Sequence, residues 1–308
     1  MIVSASRRTD IPAFYADWFM NQIRSGQFNR KNPMTQAVYT DNVSPDTVDA
    51  IAFWTRNPLP MIRSGYLQEL MGMGYFFYFN FTITGYSERS GAGNKLDGST
   101  LHPLKAIDAM NQLAELIGPE RVIWRFDPIV VCDEITKEDI VRKFKKISSD
   151  ICPDIKRTVI SFVDDYKKSI VNMRSAAFSK PLDLLAPEHA ETMDFILAEI
   201  SEETARTGRD VFSCAENIDL KRYGIEKGKC IDADYISEIS GKQIKAKKDP
   251  SQRVACGCAK SIDVGEYDTC PNGCAYCYAT NQKAIATKNF KEHDPLSKFI
   301  IKDNLRII

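Results

Sequence analysis

Six short apolar runs, separated by longer amphipathic stretches, constrain the fold of this chain more than any other feature. The runs are rich in β-branched and aromatic residues, as strands are, and the stretches between them have helical periodicity. Strands that alternate with helices in this way form a parallel sheet. The predicted strands are Ile2 to Ala5, Ala50 to Trp54, Phe76 to Thr84, Arg121 to Val131, Thr158 to Val163 and Asp210 to Cys214.

The predicted helices begin at recognisable start signals. Thr136 stands before Lys137-Glu138-Asp139, and Ala186 before a proline and a glutamate. The segment from Phe28 to Asp46 does not fit a simple crossover, and we expect an excursion there with a strand at Gln36 to Tyr39. The predicted helices are Pro12 to Ser25, Met61 to Met71, Pro103 to Ile117, Lys137 to Ser149, Pro187 to Thr207 and Asp232 to Ile239.

Polar residues terminate each predicted strand. Strands of a parallel barrel present their carboxyl ends at one mouth, where side chains converge on ligands. We therefore expect a TIM-like (β/α) barrel over residues 1–220, with a cysteine-rich segment over residues 221–308 packed on its mouth. The polar groups at the strand ends are Arg7, Arg8, Thr9, Asp10, Thr55, Arg56, Asn57, Thr82, Thr84, Arg125, Asp127, Asp164, Asp165 and Glu216.

The alternation of side chains along a strand indicates which of them face the lumen. Asn80 and Thr82 share one face, and Phe79 and Phe81 share the other. By the same rule Arg125 and Asp127 point together into the lumen, with Trp124 and Phe126 turned to the helices. Arg125 and Asp127 are therefore candidate catalytic residues, although such a pair also serves as a structural brace.

Charge and the terminal sequence limit the partners we expect. The chain of 308 residues has 41 basic and 41 acidic side chains, so no net field favours nucleic acid or an anionic membrane. The first eight residues reach Arg7 and Arg8 without the apolar stretch of a secretion signal, and no run approaches membrane-spanning length. We expect a cytoplasmic protein that acts on an unknown small-molecule or macromolecular substrate.

Seven of the nine cysteines follow residue 213, which points to metal ligation rather than to a disulfide framework. Cys270, Cys274 and Cys277 have the spacing CxxxCxxC, and three thiolates can hold a 4Fe-4S cluster while one iron stays open. Zinc is the alternative metal for this loop, and Cys256 or Cys258 would supply its fourth thiolate ligand. The wide first interval and Gly273 favour iron.

The CxxxCxxC run with Tyr276 before its last cysteine resembles the signature of the radical S-adenosylmethionine (radical SAM) superfamily. Over nearly the whole chain, the sequence also resembles the domain-of-unknown-function 1848 family. That second resemblance depends on the stretches Trp54-Thr55-Arg56-Asn57-Pro58 and Trp124 to Ile129 together with the cysteine-rich tail.

The first resemblance implies a cofactor and roles for named residues. Cys270, Cys274 and Cys277 would ligate the cluster, S-adenosylmethionine would chelate its open iron, and Tyr276 would pack near the adenine. A hydrogen atom would be taken from the substrate, and an electron donor such as flavodoxin or ferredoxin would serve as partner. Asn57 is a further candidate for cofactor binding, because its strand end resembles that of spore photoproduct lyase.

Radical SAM enzymes carry this motif after the first strand of a six-stranded partial barrel, but here it follows Ile262 to Tyr267. A circularly permuted barrel reconciles the difference if Ile262 to Tyr267 lies beside the N-terminal strand. The N-terminal strand would then act as the second strand of the family, with Thr9 and Asp10 as acceptors for the methionine ammonium group.

Cys214, Cys230, Cys256 and Cys258 form a second possible constellation. An auxiliary iron–sulfur cluster, the second of the chain, is the leading interpretation, with structural zinc and unligated thiols as the alternatives. Two other functions compete with the radical SAM interpretation. One is a non-catalytic iron–sulfur or zinc-binding barrel, and the other is a metal-independent hydrolase that uses Asp127, Asp164 and Glu216.

Overall fold

The computed structural model describes residues 1–32, 35, 37–88, 95–164, 166–216 and 218–301. Within these residues, eight parallel strands form one sheet in the order β10-β1-β4-β5-β6-β7-β8-β9. The strands β2 (Gln27–Lys31) and β3 (Val38–Asn42) form a separate antiparallel hairpin. The sheet consists of β1 (Ile2–Ala5), β4 (Ala50–Thr55), β5 (Phe77–Thr82), β6 (Val122–Ile129), β7 (Arg157–Phe162), β8 (Asp210–Cys214), β9 (Ile225–Gly228) and β10 (Ser261–Asp263).

Helices connect most of these strands, as parallel pairing requires. Pro12 to Ser25 and Met61 to Met71, each predicted as one helix, are two short helices each, with breaks at Tyr15 and at Ser64-Gly65. The helices are α1 (Ile11–Phe14), α2 (Ala16–Ser25), α3 (Leu59–Arg63), α4 (Tyr66–Gly72), α5 (Pro103–Ile117), α6 (Lys137–Asp150), α7 (Lys167–Ser175), α8 (Ala190–Thr207), α9 (Ala233–Ser240) and α10 (Lys283–Glu292).

The parallel α/β architecture is confirmed, but a TIM barrel is not. The sheet consists of the six predicted strands, of β10 beside β1, where Ile262 to Tyr267 was expected, and of β9, which was not predicted. In the described residues no strand pairing joins β9 to β10, so the sheet is open rather than a closed TIM barrel. The predicted boundary at residue 220 falls between β8 and β9 of this sheet.

The two faces of the sheet follow the alternation of the sequence. Phe79 stacks on Phe53 in the core shared with the helices, and Trp124 stacks on Phe144 of α6. On the inner face, the Asn80 side chain donates to the backbone carbonyl of Cys230. The predicted orientation of the strand residues is therefore correct.

Residues 230–259 cover the inner face of the sheet. Ile231 and Ile236 pack with Ile2, Tyr78 and other inner-face side chains in one buried cluster. At the open seam, the backbone N–H of Ala259 donates to the carbonyl oxygen of Ile231 at 2.9 Å. The segment that follows β9 therefore contacts the segment that precedes β10, although the two strands are not paired.

Asp263 joins β10 to the N-terminal strand. Its carboxylate accepts from the hydroxyls of Ser4 and Ser6 at 3.1 and 2.6 Å and from the Arg7 backbone N–H at 3.0 Å. It also forms an ion pair with Arg8 at 3.1 Å. The pairing of β10 with β1 is the arrangement that the permuted strand order requires.

The excursion expected from Phe28 to Asp46 is largely the β2–β3 hairpin. Part of the strand predicted at Gln36 to Tyr39 lies outside the described residues, and β3 begins at Val38. None of the described helices combines the length and apolar character that a membrane crossing requires.

Candidate functional site

The loop that contains Cys270, Cys274 and Cys277, named here the mouth loop (residues 268–279), lies at the carboxyl end of β1. The Tyr15 hydroxyl donates to the Thr269 carbonyl oxygen at 2.6 Å, and the hydroxyls of Thr9 and Thr269 are 2.6 Å apart. The Tyr278 hydroxyl donates to the Arg7 carbonyl oxygen at 2.8 Å. The three cysteines therefore converge on the end of the N-terminal strand.

A second backbone segment, residues 96–99, packs against the other side of the mouth loop. The N–H of Ser99 donates to the Asn272 carbonyl at 2.7 Å, and the N–H of Ala275 donates to the Leu96 carbonyl at 2.9 Å. Gly98 has φ +63°, and a Cβ there would lie 2.3 Å from the Asn272 carbonyl oxygen. This close approach requires glycine.

Asp10 ties the mouth loop to two strand ends. Its carboxylate accepts from the Thr55 hydroxyl at 2.7 Å, the Arg56 N–H at 2.9 Å and the Asn272 side chain at 3.2 Å. The Ala13 N–H also donates to this carboxylate, so Asp10 is the N-cap residue of α1. Burial raises the pKa of Asp10 to about 6, although the hydrogen bonds oppose that rise.

Arg56, Asp97 and Tyr276 form a buried polar cluster beside Cys274. Arg56 is paired with Asp97 at 3.0 Å and also donates to the Tyr276 hydroxyl, which in turn donates to Asp97. The Tyr276 carbonyl oxygen accepts from the Ser169 hydroxyl on α7 at 3.0 Å. Tyr276 therefore connects the mouth loop to β4, to residue 97 and to α7.

The thiols of the mouth loop are half-buried side chains in a tight turn. Cys277 N–H donates to the Cys274 carbonyl at 3.1 Å, and Gly273 adopts φ +71°. Burial raises the pKa of Cys270 to about 12 and also raises the pKa of Cys274, while Arg56 acts in the opposite direction on Cys274. Burial therefore favours the neutral thiol at both positions, and a bound metal would release those protons.

Cys214, Cys230, Cys256 and Cys258, named here the lumen group, lie together on the inner side of the sheet. The Sγ atoms of Cys214 and Cys230 are 2.9 Å apart. Cys256 and Cys258 lie in the same buried cluster as Cys230, and interaction with the thiols of Cys230 and Cys256 lowers the pKa of Cys258. Three separate chain segments contribute to this group. The sequence analysis named these four cysteines as a possible group but gave no spatial arrangement for them.

Arg125 belongs to the lumen group rather than to an open mouth. Its Nη1 donates to the Cys230 sulfur at 2.8 Å, and its Nη2 pairs with Asp127. Asp127 also accepts from the Ser161 hydroxyl. Arg125 packs on the Trp54 ring at 5.0 Å, so the contacts include those of a brace, and a catalytic role for the pair stays a prediction.

Asn57 and the carboxylates of the hydrolase alternative have structural contacts of their own. The Asn57 side chain accepts from the Leu59 N–H at 3.1 Å at the start of α3. Asp164 pairs with Arg253 at 2.8 Å, and Glu216 accepts from the Phe162 N–H at 2.9 Å. Asp165 lies outside the described residues. These contacts do not bring the carboxylates into a shared arrangement with Asp127.

Among the described residues, no three His, Cys, Asp or Glu side chains are already arranged to hold one metal ion. A cubane cluster makes a different demand, because each cysteine binds its own iron and the sulfurs stand farther apart than ligands of a single ion. The half-buried mouth-loop thiols lie close enough to influence one another electrostatically.

Sequence reasoning missed Asp97, Gly98 and Asp263 as parts of the site. Asp97 and Gly98 follow a polar, glycine-rich stretch that indicated only a flexible loop. Asp263 offered a signal, since it is a lone carboxylate at the end of a short strand that begins with Ser261 and Ile262. Its partners are about 260 positions away, beyond any local pattern.

The sequence of the chain matches the profile of the family described as Domain of unknown function (DUF1848) over residues 2–279. The chain belongs to this family. The match includes β1, β10 and the whole mouth loop, so the pairing of β10 with β1 lies inside the DUF1848 domain.

No curated protein matches the chain. A solved structure of a putative alpha-L-fucosidase from Bacteroides thetaiotaomicron is similar over 84% of this chain and 86% of that chain. The two sequences are 11% identical, and the TM-score is 0.28. A similarity of this size does not bear on the fold or the activity of the DUF1848 chain.

Proposed function

We propose that this DUF1848 protein is a radical SAM-like iron–sulfur enzyme, with Cys270, Cys274 and Cys277 as the cluster ligands. One observation carries the proposal. The mouth loop follows β10, which pairs with β1, and the loop packs on the carboxyl end of β1. A cysteine loop between two adjacent strands at this edge is what a permuted radical SAM barrel requires.

The donor set of the mouth loop fits such a cluster. Three thiols come from one turn around Gly273, and three thiolates leave one iron open for a small molecule. When bound, the cluster and S-adenosylmethionine would supply reductive cleavage of the sulfonium carbon–sulfur bond, giving methionine and a 5'-deoxyadenosyl radical that takes hydrogen from substrate. The cofactors supply this chemistry, and the protein positions them and excludes water.

Arg56 has the clearest electrostatic role among the surrounding residues. Its guanidinium lies beside Cys274 and favours the thiolate form of that cysteine. Asp97 and Tyr276 hold Arg56 in place through the buried ion pair and the hydroxyl contact. Loss of Arg56 would leave Asp97 as an uncompensated buried charge next to the loop.

We assign Thr9 and Asp10 to fixing the mouth loop, because their oxygens already have protein partners. Thr9 donates to the Glu266 carbonyl at 2.9 Å, and both Asp10 oxygens accept hydrogen bonds. Asn57 and Tyr276 are half-buried at the same edge and are the predicted contacts for S-adenosylmethionine. The substrate is a small molecule or a macromolecule that enters at this edge, and a flavodoxin or ferredoxin is the proposed electron donor.

The test is anaerobic reconstitution with iron and sulfide, followed by reduction in the presence of S-adenosylmethionine. We expect a visible iron–sulfur absorbance and reductant-dependent release of 5'-deoxyadenosine. Cys274→Ser should abolish both signals, whereas Cys132→Ser, which changes a buried cysteine outside both groups, should retain them. A loaded cluster with no 5'-deoxyadenosine would overturn the enzymatic proposal and support the non-catalytic iron–sulfur alternative.

A further inference from the structure

Two cysteines on the inner face of the sheet hold their sulfur atoms in contact. Cys214 is the last residue of β8, and Cys230 lies just beyond the end of β9. Their Sγ atoms are 2.9 Å apart. A disulfide bond is about 2.05 Å long, so an approach of about 0.9 Å would bring these sulfurs to bonding distance. The pair is therefore placed for direct sulfur–sulfur chemistry.

The backbone fixes both cysteines without help from their sulfurs. Cys214 pairs with Gly228 in the parallel register of β8 and β9. The carbonyl oxygen of Cys230 accepts from the Tyr78 hydroxyl at 3.0 Å and from the Asn80 side chain at 3.4 Å. Because the rest of the fold already holds the two thiols together, joining them costs little further freedom.

Arg125 gives this pair a positive electrostatic setting. Its Nη1 donates to the Cys230 sulfur at 2.8 Å, and its Nη2 pairs with Asp127. A guanidinium beside a thiol favours the thiolate, which is the form that attacks a disulfide. Cys214 is also half-buried rather than enclosed. Partial exposure beside a positive charge is typical of reactive cysteines, whereas inert ones lie in apolar surroundings.

Sulfur–sulfur contact does not follow simply from the cysteine-rich sequence of the tail. In the mouth loop, the Cys274 sulfur donates to the Asp97 carbonyl oxygen at 3.6 Å. The Cys277 sulfur accepts from the Ala279 N–H at 3.3 Å. These thiols therefore contact backbone atoms, while Cys214 and Cys230 contact each other.

We propose that Cys214 and Cys230 are a redox-active dithiol that forms a reversible disulfide by exchange with low-molecular-weight disulfides. Cys214 is half-buried and Cys230 is buried, so the reagent reaches Cys214 first. In reducing compartments, disulfides of this kind are transient and serve redox chemistry rather than structure. The dithiol is independent of the function proposed for the mouth loop.

The exchange takes place in two steps. The Cys214 thiolate attacks one sulfur of the reagent R–S–S–R, which gives a mixed disulfide and releases R–S⁻. The Cys230 thiolate then attacks the Cys214 sulfur, closes the protein disulfide and releases a second R–S⁻. The two protein thiols lose two protons and two electrons, and one R–S–S–R is reduced to two R–SH.

Disulfide formation would change the contacts of Arg125. A neutral disulfide sulfur is a weaker hydrogen-bond acceptor than a thiolate, so oxidation weakens the contact between Arg125 and Cys230. The pairing with Asp127 and the packing on Trp54 remain. The redox state of the dithiol is thereby coupled to Arg125 and Asp127, the predicted catalytic pair.

The experiment incubates the full-length, anaerobically purified protein in buffers with defined ratios of oxidised to reduced glutathione. After acid quenching, alkylation and digestion without reductant, mass spectrometry identifies the linked cysteines. We expect a Cys214–Cys230 crosslink that excess dithiothreitol reverses. Two free thiols at these positions in fully oxidised glutathione, or a bound metal that protects both from oxidation, would overturn the proposal.

Single variants test the order of attack. Cys230→Ser should stop at the mixed disulfide between Cys214 and glutathione, whereas Cys214→Ser should leave the buried Cys230 as a thiol. The half-buried control Cys152→Ser should retain the crosslink. Equal modification of Cys214 and Cys230 in the two variants would overturn the assignment of Cys214 as the attacking thiol.

The wild-type measurement decides the proposal even if a variant fails to fold. A reversible crosslink without 5'-deoxyadenosine release would support the dithiol and reject only the function proposed for the mouth loop.

Discussion

The mouth loop and the lumen group both contain cysteines, but the chain builds them in opposite ways. The mouth loop takes three thiols from eight consecutive residues and depends on distant residues to hold its backbone. The lumen group takes four thiols from three distant segments, and the sulfurs of Cys214 and Cys230 are in contact. The first is a loop whose backbone is held by distant residues, whereas the second brings together segments that lie far apart in the sequence.

The largest effect we expect is on stability when the lumen group is broken. Cys258→Ser should lower the free energy of unfolding by about 4 kcal/mol, because it places a hydroxyl in a buried cluster on the inner face of the sheet. The matched variant Cys274→Ser should cost less, since Asp10, Asp97 and the backbone of residues 96–99 still hold the mouth loop.

Anaerobic denaturation in guanidinium measures this difference between the two cysteine variants. Equal losses in Cys258→Ser and Cys274→Ser would contradict the contrast between the buried lumen group and the half-buried mouth loop. A larger loss in Cys274→Ser would reverse that contrast.

The next effect concerns the junction between β10 and β1. Asp263→Ala removes an acceptor shared by Ser4, Ser6, the Arg7 N–H and Arg8, and should cost roughly 3–4 kcal/mol. It should also reduce iron retention after reconstitution, because the mouth loop follows β10. Asp41→Ala, which breaks the hairpin pair with Arg30, serves as the control and should cost about 1 kcal/mol or less.

Normal iron retention in Asp263→Ala would show that the junction does not position the mouth loop. Thermal unfolding and iron analysis of both variants supply the two readouts.

A third prediction concerns how the free energy of unfolding of the metal-free protein depends on pH. Because the pKa of Asp10 rises from 3.8 to about 6 on folding, the folded state binds the proton more tightly. Stability should therefore fall as pH rises from about 4 to 6 and stay lower above that range, by roughly 3 kcal/mol in total.

Asp10→Asn removes this titration, so the difference in stability between wild type and variant should change across that pH interval. Urea unfolding at closely spaced pH values measures it. A constant difference from pH 4 to 7 would contradict the raised pKa of Asp10.

The smallest effect is expected at Gly98. Gly98→Ala places a Cβ against the Asn272 carbonyl and forces a positive φ on alanine, which should cost about 2 kcal/mol. Gly26→Ala also forces a positive φ on alanine but has nothing within 4 Å of the added Cβ. The difference in stability loss between the two variants therefore measures the steric part. If both variants lose the same stability, contact with the mouth loop is not the reason for glycine at position 98.

Local patterns in the sequence were enough to predict most of the sheet. Strands with dense apolar runs, such as β4 and β5, were placed within one or two residues, and the alternation around Trp124 gave the correct faces. The edge strand β9 was missed because Glu226, Lys227 and Gly228 lack an apolar repeat. The helix α7 was missed for a similar reason, since few of its residues are buried.

The two cysteine regions differed in how far the sequence revealed them. The spacing of Cys270, Cys274 and Cys277 is a local signal, and the pairing of β10 with β1 followed from the permuted strand order. The contacts of Arg125 and Arg7 with the lumen group depend on how β1, β6 and the segment before β10 meet in space. The spacing of residues along the chain gives no signal for contacts of this kind.

The pairing of β1 with β10 also sets an order of events during synthesis. Ser4 and Asp263 are 259 positions apart, and at about 5–20 residues per second a ribosome needs roughly 13–50 seconds to make the stretch between them. Throughout that time one edge of β1 has no strand to pair with, and an unpaired edge invites association with other chains. Its length of four residues limits that hazard. A nascent chain that stops before residue 256 has neither complete cysteine group, so any ligand that needs one of them can bind only after the last part of the domain is made.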